Sequence, residues 1–382
     1  MNASALRISL RELPAYARDR IEAATSYARD RLARDRFALP QLDLELRHAD
    51  PAFADLCRSR LVERSDGSAA RGSARVHVFD ATMKGWDAPA LCRVESGFAS
   101  RSFDRALAEV GLRGYYHHDA PSWQFFDPAA GLGVHSLPEP MAIPPWERGS
   151  PLRLFLHWAY ASVGKRLTHA ATLGLGQRGV LLVGASGSGK SGTTLAGLLN
   201  GLTSAGDDYV VVDEAPEITA QAVFRIFKQD EDGLRRVGLT PEAVGGGPLN
   251  WHHKYEFDAR ALAPKAFVDR LVIDAVVIPE VARLTRTQIE PVPASAAALA
   301  IAPSSVFQLP GDTDAGFRVF ARLARRLPAY RIRLSEDPVE IADAIGAFLE
   351  GLSRDARQRH HTGVQRGPFH QSVSRVPAAG AQ

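Results

Sequence analysis

Residues 9 to about 37 set arginines and aspartates between spaced apolar positions, a pattern that predicts one long charged helix. YARDR stands at 16–20 and again at 27–31, with LARDR at 32–36. An offset of 11 residues is close to three helical turns, so Tyr16 and Tyr27 share a face. The Arg and Asp residues predict that this face is solvated and laced with ion pairs. After a Ser/Gly/Arg loop at 64–74, RVHVF at 75–79 alternates as a strand does, and 122–138 reads as a hairpin around a Gly-rich turn. Pro138, Pro140, Pro144, Pro145 and Pro151 follow, and prolines at that density cannot continue a helix or a central strand. A domain boundary is expected there.

Beyond the prolines the pattern becomes regular. PLRLFLHWAYASVGKRL predicts a helix, HAATLGL a strand, and GVLLVGA a short apolar run of the buried-strand kind. A helix from GKSGTTLAGLLNGL, then YVVVDE, the buried strand DRLVIDAVVIPEV, the helix TDAGFRVFARLARRLP and the strand AYRIRLS continue the series. DPVEIADAIGAFLEGL closes it as a helix capped by Asp337. Strands alternating with helices predict an α/β core with a parallel or mixed sheet. Three regions result: an α+β region over 1–145, the α/β region over 146–352, and a basic tail over 353–382 that is expected to be disordered.

Composition narrows the function. The 382 residues are 45% hydrophobic and 23% charged, those of a globular chain with a full-sized core. No run approaches the length of a membrane span, and the start lacks a basic segment followed by an apolar one, so neither membrane nor export is expected. Two cysteines, Cys57 and Cys92, cannot build a disulfide framework or a four-ligand zinc site, which predicts a cytoplasmic, reducing compartment. The net charge of +3 resides in the tail, whose five arginines and one aspartate sum to +4 and leave the body near −1. A near-neutral body argues against a nucleic-acid partner. Only six lysines occur, so a lysine in a motif stands out.

Gly184-Ala185-Ser186-Gly187-Ser188-Gly189-Lys190-Ser191, followed by Gly192, matches the phosphate-loop pattern G-x-x-x-x-G-K-[ST] in full. The required context is there too, a buried strand before it and a helix after it. The glycines let the backbone curl until its N–H groups converge on phosphate oxygens, and the helix that follows adds its positive end. Lys190 then bridges the β- and γ-phosphates, and the Ser191 hydroxyl ligates Mg²⁺.

Two positions compete for the acid such a site needs. Tyr209-Val-Val-Val-Asp213 imitates the strand-borne acid of ordinary P-loop NTPases. Asp207 and Asp208 stand sixteen and seventeen residues after Ser191, one helix and one short strand away. An adjacent pair can divide the labour, one member on Mg²⁺ and one accepting a proton, because mutual repulsion raises one pKa.

The stretch THAATLGLGQRGVLLVGASGSGKSGTTLAGLLNGLTSAGDD resembles the core of the HPr kinase family, and the likeness extends loosely to about half the chain. Within that family it resembles the shorter members, including tailoring kinases that phosphorylate a serine of lasso-peptide precursors. The resemblance implies an α/β fold whose phosphate-loop core is of the HPr kinase/phosphoenolpyruvate carboxykinase type, with a smaller α+β N-terminal domain. It implies ATP and Mg²⁺ as cofactors and transfer of the γ-phosphoryl group to a serine hydroxyl of a peptide or small protein. Residue by residue, Lys190 and Ser191 take the phosphate and Mg²⁺ roles and Asp207 that of the base. Asp208 takes that of the second metal-site acid, with the swap of the pair left open. His169 takes that of the histidine near the reacting phosphate.

The sequence departs from the family after Asp208. The Leu-Glu-x-Arg-Gly-type signature, which supplies a further glutamate and the dephosphorylation apparatus, has no counterpart, so neither reversal nor HPr as substrate is expected. Arg225-Ile-Phe-Lys228 and Asn250-Trp-His-His-Lys254 offer Arg225, Lys228 and Lys254 as phosphate contacts. Arg225 and Lys228 lie on opposite sides of a strand, so one of them is expected to face the site. The His pairs 117/118, 252/253 and 360/361 lack zinc spacing. The N-terminal region is assigned to substrate recognition or assembly of a homo-oligomer. A small-molecule kinase, a carboxykinase-like phosphotransferase and a nucleotide-dependent binding module remain as other readings.

Overall fold

The computed structural model describes residues 7–84, 93–94, 100–118 and 121–362. β1 (Arg7–Ile8) leads into α1 (Leu13–Arg31), and then β2 (Ala33–Leu39) and β3 (Leu42–His48) form a hairpin. The single charged helix expected to residue 37 thus stops at Arg31. In ARDRFAL the odd positions Phe37 and Leu39 turn inward while Arg34 and Arg36 turn out, a period of two that pairing with β3 rewards. Nor is the helix face simply solvated: Leu13, Tyr16, Ala17, Ala24 and Ala28 are buried, and the Tyr16 ring sits 5.4 Å from Trp123.

After α2 (Pro51–Arg60), which is capped by Asp50, come β4 (Gly72–Asp80), β5 (Arg93–Val94) and α3 (Ser100–Ala108). The segment ends with β6 (Arg113–His117) and the expected hairpin, β7 (Ser122–Asp127) with β8 (Leu132–Leu137). Six of these strands form a sheet in the order β2-β3-β4-β8-β7-β6.

Past the prolines, α4 (Arg153–Ser162), β9 (Arg166–Thr168), β10 (Ala171–Leu175), β11 (Arg178–Leu182) and α5 (Lys190–Leu199) follow in turn. Next are β12 (Val210–Asp213), β13 (Thr219–Ala222), β14 (Ile226–Gln229), α6 (Glu231–Arg236), β15 (Tyr255–Asp258) and α7 (Ala259–Leu262). The chain ends with β16 (Arg270–Leu284), β17 (Gln288–Val292), α8 (Ala294–Phe307), α9 (Thr313–Arg326), β18 (Ala329–Ser335) and α10 (Pro338–Thr362). The second sheet runs β10-β11-β16-β13-β12-β9, with β18 and β17 joined through β16. β11 and β18 run parallel to β16 and the rest of the pairings are antiparallel, so the sheet is mixed.

Asp337 caps α10 as expected, its carboxylate accepting from the Val339 N–H at 2.9 Å. The tail does not begin at residue 353: α10 continues to Thr362, and residues 363–382 lie outside those described. One apolar core crosses the proline segment, since Leu152, Phe155 and Trp158 pack with Phe37 and Val76 on one side and Tyr209 and Val223 on the other. Among the described residues no helix is long and apolar enough to cross a membrane.

Candidate active site

The phosphate-loop motif lies between β11 and α5, as the strand–loop–helix pattern requires. Gly189 stands at the N-cap of α5 with φ of 104°, and a Cβ there would come within 2.8 Å of Leu334 Cδ1, so both backbone and space call for glycine. Lys190 is buried, and its Nζ donates to the carbonyls of Gly184 at 2.6 Å and Ala185 at 3.1 Å.

The chain returns to the loop by a second route. Residues 203–206 run along the free edge of β10: Gly174 and Thr203 exchange hydrogen bonds of 2.7 and 2.8 Å, and Thr172 N–H reaches Gly206 O at 2.9 Å. That edge pairing delivers Asp207 and Asp208 to the cavity bearing the loop.

The two carboxylates end in different states. Burial, then the charge of Asp208, pushes Asp207 up to about 6. Ser191 hydrogen-bonds it, but its Oδ1 has no partner. Burial would raise Asp208 as well, yet Lys228 Nζ at 2.7 Å and His169 Nε2 at 3.1 Å hold it well below the usual carboxylate range. His169 in turn lies over the Tyr209 ring at 5.1 Å, and the Tyr209 hydroxyl accepts from Arg153 Nη1 at 3.0 Å.

The cavity has a volume of about 640 Å³. Of the residues expected from sequence, Ser186, Gly187, Gly189, Lys190, Ser191 and Gly192 line it, together with His169, Asp207, Asp208, Lys228 and Lys254. Gly184, Ala185 and Ser188 belong to the loop but not to the cavity wall. Arg225 is misplaced by the sequence reading. Its guanidinium turns away to donate to Leu61 O, with Asp258 at 3.9 Å, while Lys228, three residues on, faces the cavity. Asp213 is likewise outside: it is buried in an ion pair with Lys165 and accepts from Ala215 N–H at 3.1 Å.

The sequence reading missed Arg153, Tyr209, Tyr115, His117, Trp146 and Trp251, which also line the cavity. Tyr209 carried a local signal in its place beside the acid pair, and Trp251 in its place within the Asn250–Lys254 run before β15. The others arrive from the first sheet, the proline segment and α4, through packing rather than spacing.

For a divalent cation, the available donors are the Asp207 and Asp208 carboxylates and the Ser191 hydroxyl, with the unpartnered Asp207 Oδ1 among them. An all-oxygen set with two carboxylates suits Mg²⁺, which takes few protein ligands and relies on phosphate oxygens and water. No group of three or more His, Cys, Asp or Glu that could hold a metal exists among the described residues.

No family model matches this chain, and no curated protein matches it. Among solved structures, the HPr(Ser) kinase/phosphatase from Coxiella burnetii aligns with 51% of this chain and 99% of its own length. The identity is 13% and the TM-score 0.25, a likeness too slight to assign fold or function. The functional reading therefore rests on the cavity.

Proposed function

We propose that this chain is an ATP- and Mg²⁺-dependent kinase of the HPr kinase-like type, transferring the γ-phosphoryl group to a serine hydroxyl of a peptide or small protein. One observation carries the reading. A buried carboxylate with a raised pKa and a free oxygen, Asp207, shares a cavity with a complete phosphate-loop motif, while its neighbour Asp208 is held ionised. A hydrolase needs only a positioned water, whereas a base of intermediate strength beside the loop serves a hydroxyl acceptor.

The roles follow from placement. The N–H groups of residues 186–191 and the N-terminus of α5 receive the β-phosphate, and Lys190 exchanges its carbonyl partners for phosphate oxygens. Asp207 Oδ1 would accept the serine proton as the hydroxyl oxygen bonds the γ-phosphorus and the bond to the β–γ bridging oxygen breaks, with ADP leaving. Lys254 and Lys228 place positive charge along the same wall, the latter also fixing Asp208. Mg²⁺ held by Ser191 and Asp208 would neutralise charge on the β- and γ-oxygens.

Incubation with ATP, Mg²⁺ and serine-containing peptides, read by mass spectrometry, tests the assignment through gain of one phosphate on serine. Labelling of a metabolite instead would favour the small-molecule kinase, and nucleotide binding with no labelled product the binding module.

A further inference from the structure

Glu147, in the proline segment, is 1% exposed inside the first sheet. Gln124 of β7 donates to its two carboxylate oxygens at 3.1 and 3.0 Å, and His117 Nε2 of β6 lies 3.2 Å from Oε1. Burial opposes ionisation, but His117 beside it holds the carboxyl at about 2. Neither ring nitrogen of His117 completes a hydrogen bond although the side chain is 1% exposed: Nε2 faces Glu147, Nδ1 faces no partner, and His117 lines the cavity. A desolvated ring nitrogen without a partner is unfavourable unless a ligand satisfies it.

Aromatic rings surround this histidine. Tyr115 meets His117 edge-on at 4.8 Å, Trp146 lies at 6.0 Å, and Trp251 packs on Trp146 at 5.6 Å. Trp251 nonetheless keeps 48% of its surface exposed at the cavity.

The wall adjoins the acid pair. Gly149, two residues after Glu147, lies against Lys228, so that a Cβ there would be 2.7 Å from Lys228 Cε; Lys228 grips Asp208. Arg153 reaches Tyr209, which follows Asp208. An in-line acceptor approaches the γ-phosphorus from the side of the base, opposite the leaving oxygen. The aromatic wall beside the acid pair is therefore on the acceptor side.

We propose that His117, backed by Glu147, and the Trp146–Trp251 pair form an acceptor subsite for a peptide whose reacting serine adjoins an aromatic or large aliphatic side chain. Nδ1 of His117 hydrogen-bonds a backbone group of that peptide, and the indole faces hold the flanking side chain. This rests on the serine-kinase reading for its chemistry, but not for its binding.

The probes are two short peptides with a central serine, one flanked by phenylalanine and one by alanine, in kinetic assays and calorimetry. The wild type is expected to favour the Phe-flanked peptide in kcat/KM by at least about tenfold, the scale of a buried aromatic anchor. Trp251→Ala, at an exposed position that does not threaten folding, brings that ratio near unity while MgATP affinity stays as in the wild type. His117→Ala raises KM for both peptides, and His117→Asn recovers part of the loss by offering amide hydrogen-bonding atoms. A Phe-flanked peptide that binds through Trp251 yet is never phosphorylated supports the subsite and overturns serine transfer. Equal use of both peptides, or a preference that survives Trp251→Ala, overturns the subsite even if serine is phosphorylated. Loss of MgATP affinity in Trp251→Ala overturns it too, by giving the wall to the nucleotide.

Discussion

Lys228 and Asp208 form a half-buried ion pair, Nζ 2.7 Å from Oδ2, which fixes the charge on one member of the acid pair and leaves Asp207 Oδ1 without a partner. Burial would lower the Lys228 pKa, but Asp208 keeps the ammonium above its usual range. The contact breaks the symmetry of two adjacent carboxylates, and the division of roles between them depends on it.

Lys190→Ala is expected to abolish detectable phosphotransfer and weaken MgATP binding, with a loss of at least about 10²–10³ in rate, the range for removing one preorganised charge-stabilising group. Lys190 is buried on two loop carbonyls, so a modest fall in thermal stability is expected as well. Calorimetric MgATP titration and circular dichroism on the same sample separate the two effects. Turnover like the wild type's would remove the loop from the chemistry.

The two competing acids give opposite phenotypes. Asp207→Asn keeps MgATP affinity within a few-fold and lowers the rate by about 10²–10⁴, the range for losing a general base. Asp213→Asn leaves the buried Lys165 ammonium uncompensated and costs about 3–5 kcal/mol of stability. Its rate per folded molecule stays near that of the wild type. Urea unfolding and active-site titration together distinguish them, and the reverse ranking would make Asp213 the functional acid.

The contrast between these acids shows what was legible in the sequence. The phosphate loop could be read because strand, loop and helix are contiguous and each obeys a local rule. The Asp207/Asp208 pair could be placed because one helix and one edge segment fix its return. Arg225 and Lys228 shared a motif, and only the twist of the chain entering β14 decided that Lys228 faces the cavity and Arg225 the Leu61 carbonyl. LARDRFAL satisfies helical and strand periods alike, and pairing of Phe37 and Leu39 against β3 chose the strand. His117, Trp146 and Arg153 were invisible as site residues, since tertiary packing brings them across 50 or more residues to Asp208.

Acid should unfold this protein earlier than its carboxylates require. Burial lowers His77 and His135 to about 4 and His157 to about 3. Their folded values lie below the unfolded value of about 6.5, so the unfolded chain binds protons first as the pH falls. The stability they preserve is full above about pH 6.5 and drains as pH drops toward 4. Each adds a slope of up to about 1.4 kcal/mol per pH unit. Asp104 and Asp207, both raised by burial, act in the opposite direction, while Glu147 and Asp208, held below their usual range, add to the loss once the pH falls to about 4.5. Neither ring nitrogen of His157 has a partner, and His157→Phe should flatten the curve by about one proton in urea titrations between roughly pH 7 and 4.5. An unchanged slope in that variant would mean His157 is protonated in the fold.

Gly149→Ala tests whether the Lys228–Asp208 contact governs the chemistry. An added methyl at 149 would meet Lys228 Cε at 2.7 Å, Lys228 Nζ at 3.0 Å and Glu256 Oε1 at 2.8 Å. Glu256 is tied by Asn250 Nδ2 at 3.1 Å and approached by Arg60 at 3.7 Å, so it cannot swing clear without breaking those contacts. The lysine is the easier group to displace, and its shift leaves His169 as the remaining ion-pair partner of Asp208 among the described residues. Asp208 then binds protons and cations differently, and the division of roles proposed for the pair is disturbed. The expected result is a fall in kcat of about tenfold or more with the fold intact, because the clash falls on two side-chain ends rather than on backbone. Lys228→Met, which removes the ammonium while keeping the stem, should give a similar kcat, and the double variant should be little worse than either single one. Additive losses in that cycle would show that Gly149 acts through something other than Lys228.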